Sequence, residues 1–375
     1  MSEHGSARAR LEHIRSLADA RLDQPLRIMN VCGGHERTIT ESGLRSLLPK
    51  TIELIPGPGC PVCVCPEEAI RHAIGLATQA GCLVASFGDM LNVPINGPRS
   101  APRSLQQARA TAREQVGDVR PVASPLEVLE LARRFPDRQV VFFAAGFETT
   151  TAPLAAMIEA GLPDNLFLLT ATRQTWPAVA MLLADGQPGS RPLDALIAPG
   201  HVATIMGAEQ WRFVVDRHGL PTAVAGFTAE SILDAIAAVL EQHLENRPAL
   251  TNCYPDVVRH EGNPRARALL ERHFDVTDAH WRGIGTLPDS GLSLNAHLDA
   301  HNAERIFPLE AQDHPRAGQM PPGCACADVV LGRVRPHECP LYGEGCRPDN
   351  PVGPCMVSDE GACRIWWSAG IQSPA

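Results

Sequence analysis

Short apolar runs alternate with amphipathic stretches along most of this 375-residue chain. The apolar runs are rich in Val, Ile, Leu and Ala, which is typical of strands that are buried on both faces. They predict strands at 26–32, 51–57, 82–89, 139–147, 166–172, 193–200 and 221–227. The stretches between them predict helices near 66–80, 103–116, 125–135 and 231–246, with another after Thr150. Strands that alternate with helices indicate parallel sheets with helices on both faces.

The same layout divides the chain into three predicted domains. Two α/β domains of related layout are predicted at 20–135 and 138–245, without a detectable sequence repeat. Residues 250–375 form the third, whose last part is rich in Pro, Gly and Cys and shows little periodicity. Such a segment cannot fold on apolar burial alone, so a bound metal would have to organise it. The polar N-terminal segment has a helical pattern, and we allow for its packing on this third domain.

Most of the predicted strands end in glycine-rich or polar turns. These turns read CGGHE at 32–36, GPGCPVC at 57–63, FGDM at 87–90, GFETT at 146–150 and PGH at 199–201. In open parallel sheets, ligands bind beyond the carboxyl ends of the strands, so we expect the functional residues in these turns. None of the turns fits the nucleotide-binding patterns GxGxxG or GxxxxGK[ST], so no nucleotide site is predicted.

Charge and composition narrow the possible partners and the compartment. The formal net charge is −9, from 33 basic and 42 acidic residues, and no long basic run favours nucleic acid or an anionic membrane surface. No segment approaches the roughly 18 apolar residues of a membrane span, and the N-terminus lacks the apolar core of a signal peptide. The sequence therefore predicts a cytoplasmic protein. Because thiols stay reduced there, twelve cysteines favour metal or redox chemistry over structural disulfides.

The cysteines form two clusters, and the larger one lies in the final 52 residues. It consists of Cys324, Cys326, Cys339, Cys346, Cys355 and Cys363. The gaps are one, twelve, six, eight and seven residues, without the CxxC pairs typical of zinc knuckles. Such open spacing favours an iron–sulfur cluster held by thiolates from separate loops. A zinc site and unligated thiols are the alternatives, and spacing alone does not choose four ligands among six.

The smaller cluster combines a CxxC with a cysteine that precedes a histidine and a glutamate. Cys60 and Cys63 lie in a glycine-rich turn before a helix, whose N-terminus stabilises a thiolate and favours disulfide exchange or metal capture. A pair of ordinary turn cysteines is the alternative. Cys32 ends a strand just before His35 and Glu36. These residue types provide an activated nucleophile or ligands for a soft-to-borderline metal, and a buried structural cysteine is the alternative.

Other candidate residues carry weaker signals. We interpret Cys65 as an outward-facing neighbour of the CxxC, with a third member of that group as the alternative, and Cys82 and Cys253 as structural cysteines. The GFETT turn predicts either threonines that cap a helix or polar groups that face a site. His201 is either a site residue or an ordinary turn residue.

Together these motifs resemble the family of the hydrogenase maturation protein HypD. The match includes the turns above and continues through VVRHEGN (257–263), WRGIGTLPDSGL (281–292) and CPLYGEGCRPDNPVGPCMVSDEGAC (339–363), and so covers nearly the whole chain in order. The resemblance implies two α/β domains and a third that carries a [4Fe–4S] cluster. The family pattern C-x14-C-x6-C-x16-C falls on Cys324, Cys339, Cys346 and Cys363, which leaves Cys326 and Cys355 spare.

The resemblance also implies a function. HypD-like proteins act with the small chaperone HypC as a scaffold on which an iron with two cyanides and one carbon monoxide is assembled. Cyanide comes from HypE, and the finished group passes to the large subunit of [NiFe]-hydrogenase. By motif, Cys32 is implied as the iron-site thiolate, with His35 and Glu36 beside it as catalytic residues. Cys60 and Cys63 are implied as a redox pair that relays electrons from the cluster, and as further members of the iron site.

Three functions are compared on this basis. The first is an assembly scaffold with redox activity, rather than a conventional turnover enzyme. The second is a free-standing thiol oxidoreductase that uses Cys60 and Cys63 and has a structural metal in its C-terminal region. The third is a zinc-stabilised binding module without a redox role.

Overall fold

A computed structural model describes residues 6–98, 100–112, 117–184, 193–309 and 318–371 of the chain. The strands are β1 (Leu26–Asn30), β2 (Ile52–Pro56), β3 (Cys82–Phe87), β4 (Asp118–Val122), β5 (Gln139–Gly146), β6 (Leu166–Thr172), β7 (Ala195–Pro199), β8 (Thr222–Ala225), β9 (Leu250–Asn252), β10 (Phe274–Trp281) and β11 (Gly285–Leu294). The α-helices are α1 (Ala7–Arg21), α2 (Gly33–Glu41), α3 (Leu44–Leu47), α4 (Pro61–Val64), α5 (Glu67–Ala77), α6 (Leu105–Ala112), α7 (Pro125–Arg134), α8 (Glu148–Glu159), α9 (Trp176–Leu183), α10 (Gly200–Met206), α11 (Arg212–His218), α12 (Ala229–Leu244), α13 (Pro264–His273), α14 (Ala303–Ile306), α15 (Cys326–Val330) and α16 (Ala362–Ser368). Short 3-10 helices span Gly88–Asn92, Ala208–Trp211, Ala296–His301, Pro336–Glu338 and Pro354–Met356.

Two parallel sheets form the framework, which confirms the predicted α/β class. Sheet A has the strand order β2-β1-β7-β8-β9, and sheet B has the order β4-β3-β5-β6. Every pairing in both sheets is parallel. Their central strands are apolar throughout because helices cover both faces. All of β7 is buried, and so is all of β5 after its first residue.

The chain crosses between the sheets twice, and this was not expected from the predicted domain ranges. Sheet A takes β1 and β2 from the first part of the chain and β7 to β9 from a later part, while β3 to β6 form sheet B. Each sheet therefore contains strands from both of the predicted ranges, 20–135 and 138–245. Strand β9, at the start of the predicted third range 250–375, also belongs to sheet A. Order along the chain could not predict this arrangement, because strand neighbours are chosen by tertiary packing.

Helix α1 packs on sheet A, and not on the cysteine-rich third domain where we had allowed for it. Its buried residues Leu11 and Ile14 belong to the same apolar cluster as the buried face of α12. Polar contacts flank this interface. Arg10 forms an ion pair with Asp234, and one turn further along α1 His13 lies 2.8 Å from Glu241 of α12. The apolar stripe of α1 thus matches the stripe of α12, which a polar, loop-rich domain does not provide.

Strand β4 and the hairpin of β10 and β11 are among the parts of the fold that had no counterpart in the predicted elements. Strand β4 contains Arg120 and Pro121 and lies at the edge of sheet B, where a proline is tolerated. Strands β10 and β11 form an antiparallel hairpin with a register shift between Thr277 and Ala279. The last part of the helix predicted to residue 116 lies outside the described residues. Among the helices that are described, none is both long and apolar enough to cross a membrane.

The cysteine-rich region, residues 318–371, packs against strands of both sheets. One apolar cluster joins buried residues of β3 and β5 to α4 and to cysteines of this region, including Cys326, Cys355 and Cys363. Helix α16 lies against α2, and α4 contacts both α15 and the short helix at Pro354–Met356. The turns after β1 and β2 are therefore covered by the C-terminal residues, and this enclosed region is the candidate site.

Candidate metal and thiol site

Cys32 lies at the N-terminus of α2, immediately after β1. It is the cap residue of this helix, where its sulfur makes no capping hydrogen bond, but the backbone N–H groups of Gly34 and His35 favour its thiolate form. Burial raises the pKa of the Cys32 thiol to about 12, although the two N–H groups oppose this increase. A free Cys32 is therefore protonated at neutral pH, and a metal that binds it has to displace the proton.

Two glycines allow the neighbouring segments to approach Cys32. A Cβ atom at Gly59 would lie 2.5 Å from both the Cα and the N of Cys32, so the GPGC turn can come this close only with glycine. A Cβ atom at Gly33 would lie 2.5 Å from the Cβ of Glu360. The CGG turn is thus contacted on one side by the loop that carries Cys60, and on another by the C-terminal residues.

Cys60 and Cys63 are joined by a disulfide within α4. Cys60 caps this short helix, and its sulfur accepts the backbone N–H of Cys63 at 3.2 Å. Both residues are buried, so this disulfide is reached from inside the protein and not from its outer surface. In the disulfide, the sulfurs of Cys60 and Cys63 are not free to bind a metal. The disulfide therefore has to be reduced before the two residues can take part in the iron site as predicted.

One small cavity connects Cys32 with this disulfide. Its lining comes from the CGG turn, the GPGC turn, α15 and the C-terminal residues: Asn30, Cys32, Gly33, Glu36, Pro56, Gly57, Gly59, Cys60, Cys63, Val329, Val330, Cys355, Glu360 and Ala362. The cavity volume is about 10 Å³, which is close to the space that a single water molecule needs. The predicted iron thiolate and the predicted redox pair therefore share one enclosed space.

Glu36 is held by a network that ties α2 to α16. Its carboxylate accepts hydrogen bonds from Asn30 Nδ2 at 3.1 Å, Arg45 Nη2 at 2.8 Å and Trp366 Nε1 at 2.5 Å. Burial opposes its ionisation, but Arg45 and the hydrogen bonds outweigh burial and hold the pKa of Glu36 below its usual value. Because donors surround the carboxylate, this geometry favours an anchoring function. The catalytic function predicted for Glu36 stays a prediction.

His35 points away from the cavity, toward the end of β8. Its Nε2 lies 3.0 Å from the carbonyl oxygen of Ala225, and no partner of Nδ1 is found in the described part of the chain. Burial lowers the pKa of His35 to about 4, so the imidazole is neutral at physiological pH. Phe227 lies between His35 and His201, with ring centroids 5.0 Å and 3.7 Å away, respectively. The His35 imidazole thus faces the end of β8 and not the cavity, and the catalytic function predicted for it stays a prediction.

The four cysteines of the family pattern lie close together in the C-terminal region. Cys339, Cys346 and Cys363 are buried, and Cys324 is partly buried. Cys346 and Cys363 each interact electrostatically with both Cys324 and Cys339. Backbone N–H groups also point at two of the sulfurs, at 3.5 Å for Cys339 and 3.3 Å for Cys346. Donors of this kind are typical around metal-bound thiolates, whose negative charge they stabilise.

Cys326 and Cys355, which are not part of the family pattern, connect the other cysteines. The Cys326 side chain hydrogen-bonds to Cys324 and to Cys355, and the Cys355 side chain also bonds to Cys363. Hydrogen bonds from Cys326 and Cys363 lower the pKa of Cys355 well below its ordinary value. Since Cys355 also lines the cavity with Cys60, a continuous series of thiols runs from the C-terminal cysteines to the disulfide.

The donor set has the residue type that an iron–sulfur cluster requires, although within the described ranges no three His, Cys, Asp or Glu side chains converge on one point as metal-ion ligands would. An iron–sulfur cluster is held by thiolates from separate loops. The four cysteines provide such thiols, and N–H groups are directed at two of their sulfurs.

Several residues of the site have no clear signal in the sequence. Glu360 lines the cavity beside Cys32, and burial, together with the charge of Asp89, raises its pKa to about 7. Asp89, from the FGDM turn, accepts a hydrogen bond from Ser358 at 3.1 Å. The only signal for Asp89 in the sequence is that it is a polar residue in a turn that ends a predicted strand. Trp366 could not be predicted, because its hydrogen-bond partner Glu36 is 330 residues away in the sequence.

The weaker predictions have mixed outcomes. Cys65 is buried and not outward-facing, because it follows α4 directly into the apolar cluster around the cysteines. Cys82 is a core residue at the start of β3, as predicted. In the GFETT turn no threonine caps α8, and the buried Glu148 instead accepts two hydrogen bonds from Thr175, each 2.8 Å long.

Comparison with known proteins identifies the family. The model of the family described as "Hydrogenase formation hypA family" (HypD) matches residues 6–370. The chain is 39% identical to the hydrogenase maturation factor HypD of Azotobacter vinelandii, over 98% of this chain and 96% of the relative. It is 38% identical to HypD of Rhodobacter capsulatus (97% and 95% covered) and 36% identical to HypD of Escherichia coli K12 (95% and 93% covered). The chain therefore belongs to the HypD family of hydrogenase maturation factors.

Proposed function

We propose that this protein is a scaffold on which, with a HypC-type chaperone, an iron carrying two cyanides and one carbon monoxide is assembled. A HypE-type protein is the cyanide donor, and the large subunit of a [NiFe]-hydrogenase is the recipient. Cys32 binds the iron, and the Cys60–Cys63 pair makes electrons available to it. Family membership supports the general function in hydrogenase maturation. The specific functions of the residues are our proposal.

The observation that carries the proposal is the shared cavity. Cys32, the Cys60–Cys63 disulfide and Cys355 line one space, and Cys355 hydrogen-bonds to Cys363 of the family pattern. A free-standing oxidoreductase would need its disulfide accessible to other proteins, and here both sulfurs are buried. The arrangement suits a disulfide that serves a neighbouring thiolate within the same molecule.

Cys32 is suited to bind a soft iron centre. Low-spin Fe(II) with cyanide and carbon monoxide is bound well by thiolate sulfur. When iron binds, the Cys32 proton leaves, and the N–H groups of Gly34 and His35 continue to stabilise the sulfur's negative charge. The cavity of about 10 Å³ does not hold three diatomic ligands. The iron therefore projects from the mouth of the site, where a chaperone can contribute further ligands and cover it.

The disulfide stores two electrons when it is reduced. Opening the Cys60–Cys63 bond takes up two electrons and two protons and produces two thiols, and its re-formation releases them again. A [4Fe–4S] cluster on Cys324, Cys339, Cys346 and Cys363 would supply electrons one at a time. The thiols of Cys326 and Cys355 lie between these cysteines and the cavity. This contact provides a short path for reduction of the disulfide.

Infrared spectroscopy of the complex with a HypC-type chaperone tests the proposal. The two proteins are co-produced, purified anaerobically through a tag on the chaperone, and examined for cyanide and carbon monoxide stretching bands. We expect bands from the wild-type complex and none from Cys32→Ala. Iron and sulfide contents are measured in parallel: the sulfide content should be equal in the two samples, and Cys32→Ala should lack only the one iron that carries the cyanides. Cys253→Ala, which changes a partly buried cysteine next to the sheet A core, is the matched control and should keep the bands.

A different experimental result would exclude each part of the proposal. A Cys32→Ala complex that still shows both types of band would exclude Cys32 as the iron thiolate. Wild-type protein that lacks iron and acid-labile sulfide after anaerobic purification would exclude the cluster. A wild-type complex without cyanide bands, from cells with active hydrogenase, would exclude the scaffold function.

A further inference from the structure

Asn30, the last residue of β1, has a buried side-chain oxygen without a hydrogen-bond donor. The residue is 1% exposed, and its Nδ2 donates to Glu36 Oε2 at 3.1 Å and to the carbonyl oxygen of Ile55 at 3.2 Å. Its Oδ1 is buried and has no hydrogen-bond partner among the described residues. A buried acceptor without a donor destabilises the state in which it occurs, and such atoms are rare in folded proteins.

The orientation of the Asn30 amide group is fixed by its neighbours. The oxygen and the nitrogen of an asparagine side chain are distinguished by the hydrogen bonds they make. Both partners of Nδ2 are acceptors, namely the Glu36 carboxylate, whose pKa lies below its usual value, and the Ile55 carbonyl oxygen. A rotated amide would place Oδ1 against these two oxygens. Oδ1 is therefore the acceptor that Asn30 offers to the cavity it lines.

The turn that precedes the CxxC is held against the end of β1. The backbone N–H of Gly57 donates to the carbonyl oxygen of Asn30 at 2.8 Å, and the N–H of Gly59 donates to the carbonyl oxygen of Gly57 at 2.8 Å. Cys60 directly follows Gly59. Asn30, Cys60 and Cys63 all line the cavity of about 10 Å³, which has room for about one water molecule. The Asn30 side chain and the disulfide are thus neighbours around one very small space.

The side chains that line the cavity offer Oδ1 few donors. Among the lining residues that the structure describes, only Asn30 itself has a side-chain N–H group. The other polar side chains are two carboxyl groups and two free thiols: Glu36, Glu360, Cys32 and Cys355. Within the described part of the chain, none of these groups donates to Oδ1. The sulfurs of Cys60 and Cys63 carry no hydrogen while they are joined, and reduction gives each of them an S–H donor.

We propose that Asn30 Oδ1 accepts a hydrogen bond from a thiol of the reduced Cys60–Cys63 pair and thereby favours the dithiol over the disulfide. This inference deepens the proposed function, because it concerns the pair to which we assign the storage of electrons. Reduction breaks the S–S bond, takes up two electrons and two protons and leaves two S–H groups. The electrons come from an iron–sulfur centre in the proposed function, and from an added thiol in the test below. Since Oδ1 gains a donor only on reduction, the reduced state is stabilised relative to the oxidised state.

A neutral amide suits this position better than a carboxylate or an apolar side chain. An aspartate would place a second negative charge beside the Glu36 carboxylate in a buried site. A leucine has a similar shape but offers no acceptor. Asparagine donates to Glu36 at one end of its amide group and keeps an acceptor at the other. The contacts that join α2 to α16 at Glu36 therefore also hold Oδ1 in its orientation.

Redox equilibration of the full-length protein tests the proposal. Wild type and Asn30→Leu are incubated anaerobically in dithiothreitol and glutathione buffers of known potential, free thiols are alkylated, and the peptide with Cys60 and Cys63 is quantified by mass spectrometry. We expect the reduced-to-oxidised ratio of Asn30→Leu at a fixed potential to be about tenfold lower, which corresponds to about 30 mV for two electrons. Trp366→Phe is the matched control, because it removes another donor to Glu36 and leaves Oδ1 in place. It should match the wild type.

An unchanged or higher ratio in Asn30→Leu would overturn the inference, because Oδ1 would then have a donor in both redox states. An equally lower ratio in Trp366→Phe would assign the effect to the contacts of Glu36 and would also contradict it. If Asn30→Leu does not fold, Asn30→Ala decides by the same criteria. A wild-type disulfide that none of the buffers reduces would refute the storage of electrons itself. The assay requires neither iron nor a chaperone, so a failure of the proposed iron site is distinguished from a failure of Asn30.

Discussion

Substitution of Glu36 by Gln keeps the size of the side chain and removes the charge that joins α2 to α16. In the wild type, the carboxylate is 2% exposed and accepts hydrogen bonds from Arg45, Trp366 and Asn30. A glutamine has only one acceptor oxygen, and its NH2 group has to face at least one of these donors. The variant therefore loses an ion pair and places two donors against each other.

The expected cost follows from the burial of the two charges. Loss of one partner of a buried ion pair costs about 3–5 kcal/mol, and a single hydrogen bond to a charged group contributes about 1.5–3 kcal/mol. Arg45 retains 20% of its side-chain exposure, so it can turn partly toward water when Glu36 is neutral. We therefore expect Glu36→Gln to lower the free energy of unfolding by about 2–4 kcal/mol at pH 7.

The pH dependence gives a second, independent signature. The folded pKa of Glu36 lies below its unfolded value, so the charged form contributes stability that is fully present above the unfolded pKa. This contribution is lost as the pH falls through the lower, folded pKa. The difference between wild type and Glu36→Gln should be constant from about pH 5 to pH 8 and should shrink below about pH 4.

Urea unfolding followed by tryptophan fluorescence measures both effects, with the transition that involves α2 and α16 compared between variants. Glu41→Gln is the matched control on the same helix. Its carboxylate is 66% exposed and lies 3.7 Å from Arg37, and such surface pairs contribute only about 0–1 kcal/mol. If Glu36→Gln were no more destabilising than Glu41→Gln, or if the difference did not change with pH, the anchoring function assigned to Glu36 would be wrong.

Two further predictions concern the cavity. Gly59→Ala should displace the GPGC turn from Cys32, whose backbone lies 2.5 Å from the added methyl group, and abolish retention of the iron–cyanide group in the infrared assay. Gly75→Ala, with no heavy atom within 4 Å of the added methyl group, should keep that retention and stabilise helix α5 by about 0.5–1 kcal/mol. Cys355→Ser should slow reduction of the disulfide in α4 at least tenfold in a thiol-trapping assay after anaerobic reduction, while iron content stays unchanged and Cys253→Ser behaves as wild type. Equal rates in Cys355→Ser and wild type would exclude the proposed thiol path.

The hydrophobic pattern predicted individual strands well, because a strand that is buried on both faces consists mainly of apolar residues. The runs that became β5 and β7 are almost wholly apolar, and each is a strand within a residue or two of its predicted ends. Strand β4 was not predicted because an edge strand tolerates charge and proline. The assignment of strands to sheets was also beyond reach, since β1 pairs with β7, far away along the chain.

The cysteines of the site could be predicted from the sequence, but the polar residues that surround them could not. Spacing and motif pointed to the cysteines because thiol ligands and CxxC pairs have restricted patterns. The polar residues around them have no such pattern. Arg45 and Trp366 look like ordinary helix residues until the fold places them around Glu36. Cys326 and Cys355 looked dispensable for the same reason, since only the fold shows that they contact the other cysteines.

The dependence of the site on both ends of the described chain has a consequence for biosynthesis. Cys32 and the CxxC leave the ribosome long before Cys355, Glu360 and Trp366. Contacts between such distant segments form late, because a long loop must close before they contribute. A nascent chain that has not yet added these later residues thus has the first thiols but lacks the cavity. Synthesis of the cysteine-rich region itself becomes the checkpoint that keeps unfinished protein from holding a reactive iron.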